Sequence, residues 1–512
     1  MRILGLSFLF HDAAATVIED GEILYASHSE RYSKYKNDPF LNHKMIADCL
    51  KFGKPDVIVL HEKPWAKKLR NLYAGNWRAL LEPTMQKWIK DFFPELHGIP
   101  IKTYWHHETH AAAGVMTSNF DECAVICIDA IGEFDTATTW HWNKGNLKKI
   151  HSTKFPSSLG LFYSAMTAHV GLKPMEDEYV LMGMAAYGKP IYETAMHEEF
   201  FVDADCKEPA NVIEMTKNLQ KGVPANYLGR DKSALIDEWG HHSLDYNIAA
   251  SAQAVAEKRI FEYARHALIK TYSKNLVFMG GCALNCVANG NLFKLFENVH
   301  IMPNPGDAGS SLGAAALHYY NVTGNKVNWT GAYLGNSIRG DYPIKKSLAS
   351  LLKGEIFGIA NGRAEFGPRA LGNRTLCVDP RGNKIKDAVN KIKRRQEFRP
   401  FAPIILEEHV HDYFEMPGHI SNAPYMQFVA RCKKPKEFPA IVHADGTSRV
   451  QTVNETEHPD LYELMTQFYN ETGCPMILNT SLNIKGMPIV NDEKDAADFE
   501  EKYNVPVHTK DD

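Results

Sequence analysis

Two stretches far apart in this chain repeat one outline, and that repetition restricts the fold more than any other feature. Arg2 to Phe8 reads as an apolar strand and Ala13 to Glu19 as its return. Asp20-Gly21 then turns the chain into a third run, Glu22 to Ala26. Asp-Gly between two apolar runs is a strong hairpin signal, because both residues tolerate the positive φ of a tight turn. The second stretch opens at Cys123 (A-V-I-C-I-D-A), returns through Thr136-Ala137-Thr138-Thr139-Trp140 and turns at Asn143-Lys144-Gly145. Each block is an apolar strand, a polar loop holding an Asp, a return strand and a hairpin. With 512 residues the chain also exceeds what one hydrophobic core usually supports, so two domains are expected.

Further on, Ile248 to Tyr272 has a helical pattern, followed by a strand–loop–helix reading of N-L-V-F-M-G-G-C-A-L-N-C-V-A-N-G. Gly280 and Gly281 permit a tight turn at the strand end, where bare amides can face a phosphate or a metal-bound ligand. A plain strand-to-helix turn has the same signature. A strand at His300 to Met302 runs into Asp307, and Ser310 to Ala316 reads as the next helix, so Asp307 sits at a strand end as Asp129 does. The duplicated outline resembles the actin/hexokinase/Hsp70-type fold, which implies two strand-rich lobes flanking a nucleotide or metal cleft.

His106 and His110 stand four residues apart in W-H-H-E-T-H-A-A-A-G, and on a helix they share one face. Asp129 closes the apolar run of the second block, and Asp307 lies in P-N-P-G-D-A-G-S-S-L-G. Two imidazoles with one or two carboxylates brought in by the fold make a first-row transition-metal site. A two-His-plus-carboxylate set with open positions favours iron(II) over a closed structural zinc site. The spacing alone also fits two exposed helix histidines; the flanking motifs favour the metal set.

Composition adds mainly exclusions. A formal charge of −4 leaves no global footprint for nucleic acid, although a local basic groove can hide in that average. No apolar stretch approaches the ~20 residues of a membrane span. The apolar N-terminal segment meets His11 and Asp12 at once and reads as a buried strand, not a signal peptide. Nine cysteines without C-x-x-C argue against a disulfide framework and fit a reducing cytoplasm.

From Gly331 to Gly354 the chain changes character, which places a boundary near residue 340: an actin-like domain at 1–340 and a second domain at 341–512. In G-R-A-E-F-G-P-R-A-L-G-N-R-T-L, Arg369 and Arg374 flank a Pro/Gly loop able to present guanidinium forks to phosphate oxygens. Lys393 and Arg395 alternate in K-I-K-R-R-Q-E-F-R-P-F-A-P, so on a strand they project from one face. Ser481 and Asn483 share that spacing in N-T-S-L-N-I-K-G. Two cations facing a hydroxyl and an amide would surround a small anion; a solvated surface strand is the plainer reading of the basic run.

Taken in order, H-D-A-A-A, H-H-E-T-H-A, D-A-I-G-E-F-D, E-D-E-Y-V-L-M-G-M-A-A-Y-G, G-G-C-A-L-N, P-G-D-A-G-S, E-F-G-P-R-A-L-G-N-R, the Lys-x-Arg segment, H-A-D-G-T-S-R-V-Q-T and N-T-S-L-N span nearly the whole chain. In these motifs the chain resembles O-carbamoyltransferases of the nodulation-factor/cephalosporin/aminoglycoside type. That family joins a threonylcarbamoyl-transfer-type, actin-like domain to an α+β domain similar to threonylcarbamoyl-adenylate synthases. The resemblance implies that the second domain binds carbamoyl phosphate and ATP, with Mg2+, through Lys393, Arg395, Ser481 and Asn483, with Arg369, Arg374 and Arg449 nearby. Carbamoyl adenylate would form there. The first domain would receive it at Gly280, Gly281 and Asn285, hold Fe(II) with His106, His110, Asp129 and Asp307, and pass the carbamoyl group to an acceptor hydroxyl as AMP leaves. His11 is the candidate for polarising or deprotonating that hydroxyl; a buried histidine bonded to backbone is the alternative. Three positions depart from the family pattern: Ala130 replaces a glycine, Val180 a lysine and Gln396 a glutamate.

The expected acceptor is a small-molecule metabolite hydroxyl, with a hydroxymethylated base in DNA as the alternative; homodimer formation is left open. Pro64 to Phe93 interleaves aromatics with cations, a composition that could stack bases and contact phosphates. The preferred reading is an amphipathic helical lid whose aromatics face the core. A non-catalytic regulator on the same scaffold is disfavoured because both ends of a two-step path are intact. A threonylcarbamoyl transferase acting on tRNA is disfavoured by the fused second domain.

Overall fold

A computed structural model describes residues 1–201, 228, 243–396 and 399–511. Five strands, β1 (Arg2–Ser7), β2 (Ala14–Glu19), β3 (Glu22–His28), β4 (Val57–Leu60) and β5 (Ile101–Thr103), form a sheet in the order β3-β2-β1-β4-β5. A second sheet holds β6 (Glu122–Ile128), β7 (Asp135–Asn143), β8 (Asn146–Lys154), β9 (Asn275–Met279) and β10 (Asn298–His300) in the order β10-β9-β6-β7-β8. Counted from its own first strand, each sheet reads third-second-first-fourth-fifth. β4 is parallel to β1 and β5, as β9 is to β6 and β10. The duplicated strand outline expected from the sequence is therefore present strand for strand. Both hairpins turn at the expected residues: φ is +49° and +92° at Asp20 and Gly21, and +49° and +78° at Lys144 and Gly145. Two consecutive positive values suit the twist of the flanking strands.

The two sheets place equivalent helices at equivalent points. His106–Thr117 follows β5, and Ser310–Thr323 follows β10. Both are rich in Ala and Gly, and their backbones meet closely: a Cβ on Gly313 would lie 2.0 Å from the carbonyl oxygen of Thr109. Glycine is required there by space.

Beyond residue 330, β11 (Tyr333–Ile338) pairs antiparallel with β13 (Gly362–Glu365). The remaining strands are β12 (Phe357–Ala360), β14 (Arg374–Val378), β15 (Ala402–Leu406), β16 (Phe414–Glu415), β17 (Phe428–Cys432), β18 (Thr447–Val453), β19 (Met476–Ser481) and β20 (Val507–His508). They form a mixed sheet, β16-β17-β18-β15-β19-β14-β12-β20. The helix Pro459–Thr472 buries Leu461, Leu464, Met465 and Phe468, the stripe of a helix laid on an apolar surface. By tertiary contacts the chain parts near Thr330, and the second compact unit also includes residues 11–14 and 23–49, which a single boundary near residue 340 does not assign.

Two local expectations are corrected. Lys393 ends a helix, Ile385–Lys393, and Arg394 stops it with φ +52°; the segment is not a strand. Ile385, Val389 and Ile392 recur at helical spacing, and that period outweighs the alternation of charges. Most aromatics of Pro64–Phe93 also do not face the core; Phe93, 1% exposed, is the one that does. On the helix Pro64–Tyr73 the buried side is made by Pro64 and Arg70, while Trp65, Leu69 and Tyr73 are 67, 60 and 70% exposed. The cause is electrostatic. Buried Glu62 accepts an ion pair from Lys67 at 2.9 Å, and Arg70 lies in the field of Glu62 and Glu133. The cationic face turns inward to these carboxylates, and the apolar face, at i, i+4 and i+8, is left outside.

Candidate metal centre and anion site

His106 and His110 open the His106–Thr117 helix; Asp129 stands at the carboxyl end of β6, and Asp307 precedes the Ser310–Thr323 helix. The duplication thus delivers both histidines and Asp307 from equivalent helix starts. All four side chains are buried, and one donor atom from each lies within 4.8 Å of the others. His110 Nε2 is 3.1 Å from His106 Nε2, 3.0 Å from Asp129 Oδ2 and 3.4 Å from Asp307 Oδ1. His106 Nε2 is 3.6 Å from Asp129 Oδ2 and 3.4 Å from Asp307 Oδ1. First-row metal bonds of ~2.0–2.2 Å to N and O place neighbouring donors about 3 to 3.5 Å apart, so the donor set fits such an ion.

Charge makes the same demand. Two buried carboxylates beside neutral imidazoles leave two uncompensated negative charges, which a divalent cation balances. The electrostatics among the four side chains follow the same balance. Burial lowers His106 and His110, but Asp307 and Asp129 outweigh it and hold both above the ordinary histidine value. Burial and Asp307 push Asp129 up, yet the two imidazoles carry it below the carboxylate range.

The surroundings orient these groups. His110 Nδ1 lies 3.2 Å from Ser310 Oγ. A proton donated there leaves the Nε2 lone pair facing the carboxylates. The amide of Ala130 donates to Asp129 Oδ1 at 2.7 Å. Buried Glu133 accepts from the amides of Lys63 at 2.7 Å and His106 at 3.1 Å, an anion at a helix N-terminus. His61, buried and 5.3 Å from His106 ring to ring, is pushed down to about 3, chiefly by burial. Glu133, Ser310 and His61 were not singled out from the sequence. The signal for Ser310 was its place three residues after Asp307, at the start of the paired helix.

Gly280 and Gly281 press against this centre. Gly280 has φ +89°, and a Cβ on it would sit 2.3 Å from the Ile128 carbonyl oxygen; one on Gly281 would be 3.1 Å from Asp129 Oδ1. Asn285 is engaged elsewhere: it caps the next helix and exchanges two hydrogen bonds with Gln253, at 2.9 and 3.0 Å. His11 Nδ1 is 3.1 Å from Asp12 Oδ2 in a loop where Leu9 and Asp12 both have positive φ, +67° and +53°.

In the second unit, Lys393, Ser481 and Asn483 come together. Lys393 Nζ donates to the Ser481 carbonyl at 2.5 Å, to Ser481 Oγ at 3.1 Å and to Asn483 Oδ1 at 2.6 Å. Burial first, then Arg395 and Arg399, push the Lys393 ammonium well down, so this cluster gains from an anion. Arg395 stacks on Phe401 at 4.2 Å and donates from Nε to Asn390 at 2.8 Å. Arg369 is half-buried in the loop between β13 and β14, and Arg449 is half-buried on β18.

Arg374 is a correction. It is fully buried, and its guanidinium donates to the carbonyls of Asn336, Asn361, Gly362, Asn373 and Asn491. It braces the backbone and offers phosphate nothing. Glu365 does matching work, accepting from the amides of Leu371, Asn373 and Arg374 at 2.7, 2.9 and 3.2 Å. The E-F-G-P-R-A-L-G-N-R motif is therefore largely a device for holding the loop that carries Arg369.

Comparison with known proteins bears on both units. Residues 2–316 match the family model described as carbamoyltransferase N-terminus, and residues 348–509 match carbamoyltransferase C-terminus. The protein sll1178 of Synechocystis is 33% identical over 97% of this chain and 93% of its own length. Nodulation protein NolO of Bradyrhizobium diazoefficiens is 34% identical over 76% of this chain and 75% of its own. The 3'-hydroxymethylcephem-O-carbamoyltransferase of Amycolatopsis lactamdurans is 28% identical over 94% of this chain and 93% of its own.

Proposed function

The chain belongs to the carbamoyltransferase family and is a transferase, and from that premise we propose that it is an ATP-dependent O-carbamoyltransferase working through carbamoyl adenylate. The observation that carries this reading is that each unit holds a site suited to one half of such a reaction. The Lys393–Ser481–Asn483 cluster suits a small anion, and the His106–His110–Asp129–Asp307 set suits a divalent metal.

A carbamoyl group is a poor electrophile because its nitrogen donates into the carbonyl. In the first half, water bonds to the phosphorus of carbamoyl phosphate and the bond from that phosphorus to the carbamoyl oxygen breaks, giving inorganic phosphate and carbamate; the carbamate oxygen then bonds to the α-phosphorus of ATP, carried with Mg2+, and pyrophosphate leaves. Lys393, with Arg395 and Arg369, binds the anionic groups. In the second half, the acceptor oxygen bonds to the carbamoyl carbon, the bond from that carbon to the AMP oxygen breaks, and AMP departs. His106, His110, Asp129 and Asp307 would hold iron(II), which as a Lewis acid can polarise the carbonyl or hold the adenylate phosphate. Gly281 leaves the backbone free of a side chain beside Asp129, while the amide of Gly280 donates to the Pro305 carbonyl at 2.9 Å and holds the turn. His11 takes the proton of the acceptor hydroxyl at Nε2, while Asp12 holds Nδ1.

The cephem relative's name specifies a hydroxymethyl group as its acceptor, and a primary hydroxyl is the acceptor proposed here. A small metabolite is the first reading; the outward aromatics favour the second, a nucleic-acid hydroxyl. Incubating the protein with ATP and carbamoyl phosphate alone should release AMP and pyrophosphate. Absence of both above the rate without protein would refute the adenylate route.

A further inference from the structure

The segment Trp65–Lys90 presents an apolar, cationic face that the reaction chemistry does not use. Trp65, Leu69 and Tyr73 line the outer side of their helix, and Trp77 and Leu81 are 72 and 88% exposed in the turn that follows. Lys68 ties the two parts together: Nζ donates to the carbonyls of Leu80 and Glu82 at 3.1 and 2.6 Å and stands 5.3 Å over the Trp65 ring. Three aromatics of ~200 Å2 each, about two-thirds exposed, exceed with their leucines the few hundred Å2 of a patch that needs no explanation.

Charge decides what covers it. Lys67 and Arg70 serve the buried carboxylates. Lys68, Arg78, Lys87 and Lys90 remain on the outer segment against Glu82 and Asp91 alone, on a chain whose net charge is −4. A second copy of the chain would set this cationic excess against itself. A strand of nucleic acid supplies both what the cations need and what the rings can stack on. Place supports the same occupant. This helix follows β4 through His61 and Glu62; the neighbouring parallel strand β5 leads through Trp105, itself 48% exposed, into the metal-set residue His106. Aromatics and candidate ligands leave one sheet at the carboxyl ends of adjacent parallel strands, where α/β sheets bind their ligands.

We propose that the Trp65–Lys90 face docks a single strand of nucleic acid, which makes a hydroxyl carried by that strand, such as a hydroxymethyl group on a base, the acceptor class. This rests on the carbamoyltransferase reading for the acceptor role but not for the docking. The test measures anisotropy of a fluorescein-labelled single-stranded DNA of about twenty nucleotides, one base hydroxymethylated, titrated with the full chain. Binding should weaken up to roughly fifty-fold between 50 and 200 mM salt if four phosphates are met. Trp65→Ala and Trp77→Ala should each weaken it about ten-fold or more, and Lys68→Gln with Arg78→Gln should flatten the salt dependence. All of these exposed variants should keep wild-type AMP release from ATP and carbamoyl phosphate, and the strand should gain the mass of one carbamoyl group. No binding at 50 mM salt, or binding indifferent to the four substitutions, overturns the proposal, as does a dimer that Trp65→Ala dissociates without any effect of DNA. AMP release without DNA binding refutes the docking face alone. DNA binding without AMP release refutes the adenylate reading and leaves the face standing.

Discussion

Asp129 shows how one residue serves two masters: its Oδ1 takes the amide of Ala130, and its Oδ2 is left for the imidazoles and whatever cation they share. Ser310 plays the same part for His110 from the opposite helix. Removing such an orienting partner costs roughly 10- to 100-fold in metal affinity. Ser310→Ala should therefore weaken metal binding, followed by isothermal titration with the apo protein, by that amount without unfolding the chain. An unchanged affinity would make Ser310 a mere neighbour. Arg374 carries the opposite lesson. Its five carbonyl partners predict that Arg374→Ala destabilises the second unit by about 3 kcal/mol or more, since buried acceptors lose a charged donor. Chemical denaturation would report it, and a soluble variant of wild-type stability would contradict it.

Among the elements, the crossing of the helices His106–Thr117 and Ser310–Thr323 decides whether the metal set exists. Each alone brings an incomplete set, and Gly313 against Thr109 sets how near the helix starts can come. A single methyl at Gly313 must push the pair apart or bend a carbonyl out of line. Gly313→Ala should cost about 1–3 kcal/mol of stability and weaken metal binding, although residue 313 touches no ligand. Thermal melts and metal titration on one sample would test both; a variant that melts lower yet binds metal normally would show that the crossing does not govern the site. The helix Pro64–Tyr73 shows an element turned over by its surroundings. Its pattern permits two burials, and Glu62 selects the one with Lys67 and Arg70 inside.

At the scale of the molecule, two units should fail separately. Lys393→Gln is expected to abolish pyrophosphate release while metal binding stays at the wild-type level, and Asp307→Ala to lose metal binding while pyrophosphate release stays; loss of both properties in either variant would contradict two independent sites. Acid should act on the whole chain. Burial pushes His28, His300 and His458 each down to about 4. In the unfolded chain a histidine titrates near ~6.5, so between those values the unfolded state binds protons that the folded state refuses. Stability is full above ~6.5 and falls as pH drops toward 4, by roughly 1.4 kcal/mol per pH unit for each group once below ~6.5. His458 shows why: its Nδ1 accepts from the Leu461 amide at 3.2 Å and its Nε2 pairs with Asn373 at 2.9 Å, leaving no place for a second proton. Urea midpoints at pH 7 and pH 5 should differ accordingly, and equal midpoints would refute this account.

What the sequence determined by itself was local or repetitive. Hairpin turns at Asp20-Gly21 and Lys144-Gly145, the helical spacing of His106 and His110, and Asp129 at a strand end follow from backbone preferences and periodicity within a few residues. The doubled sheet was legible because the same outline occurs twice, and the family because ten motifs keep one order. Tertiary structure alone decided where Arg374 points, which side of Pro64–Tyr73 is buried, that Lys393 ends a helix beside Ser481 and Asn483, and that Ser310 reaches His110. Each of these turns on a buried polar or charged group whose partner, or whose burial, comes from far along the chain, as Glu133 and the burial of Glu62 do for Pro64–Tyr73. Such pairings are settled by desolvation and distance in the folded interior, and no window of neighbouring residues contains them.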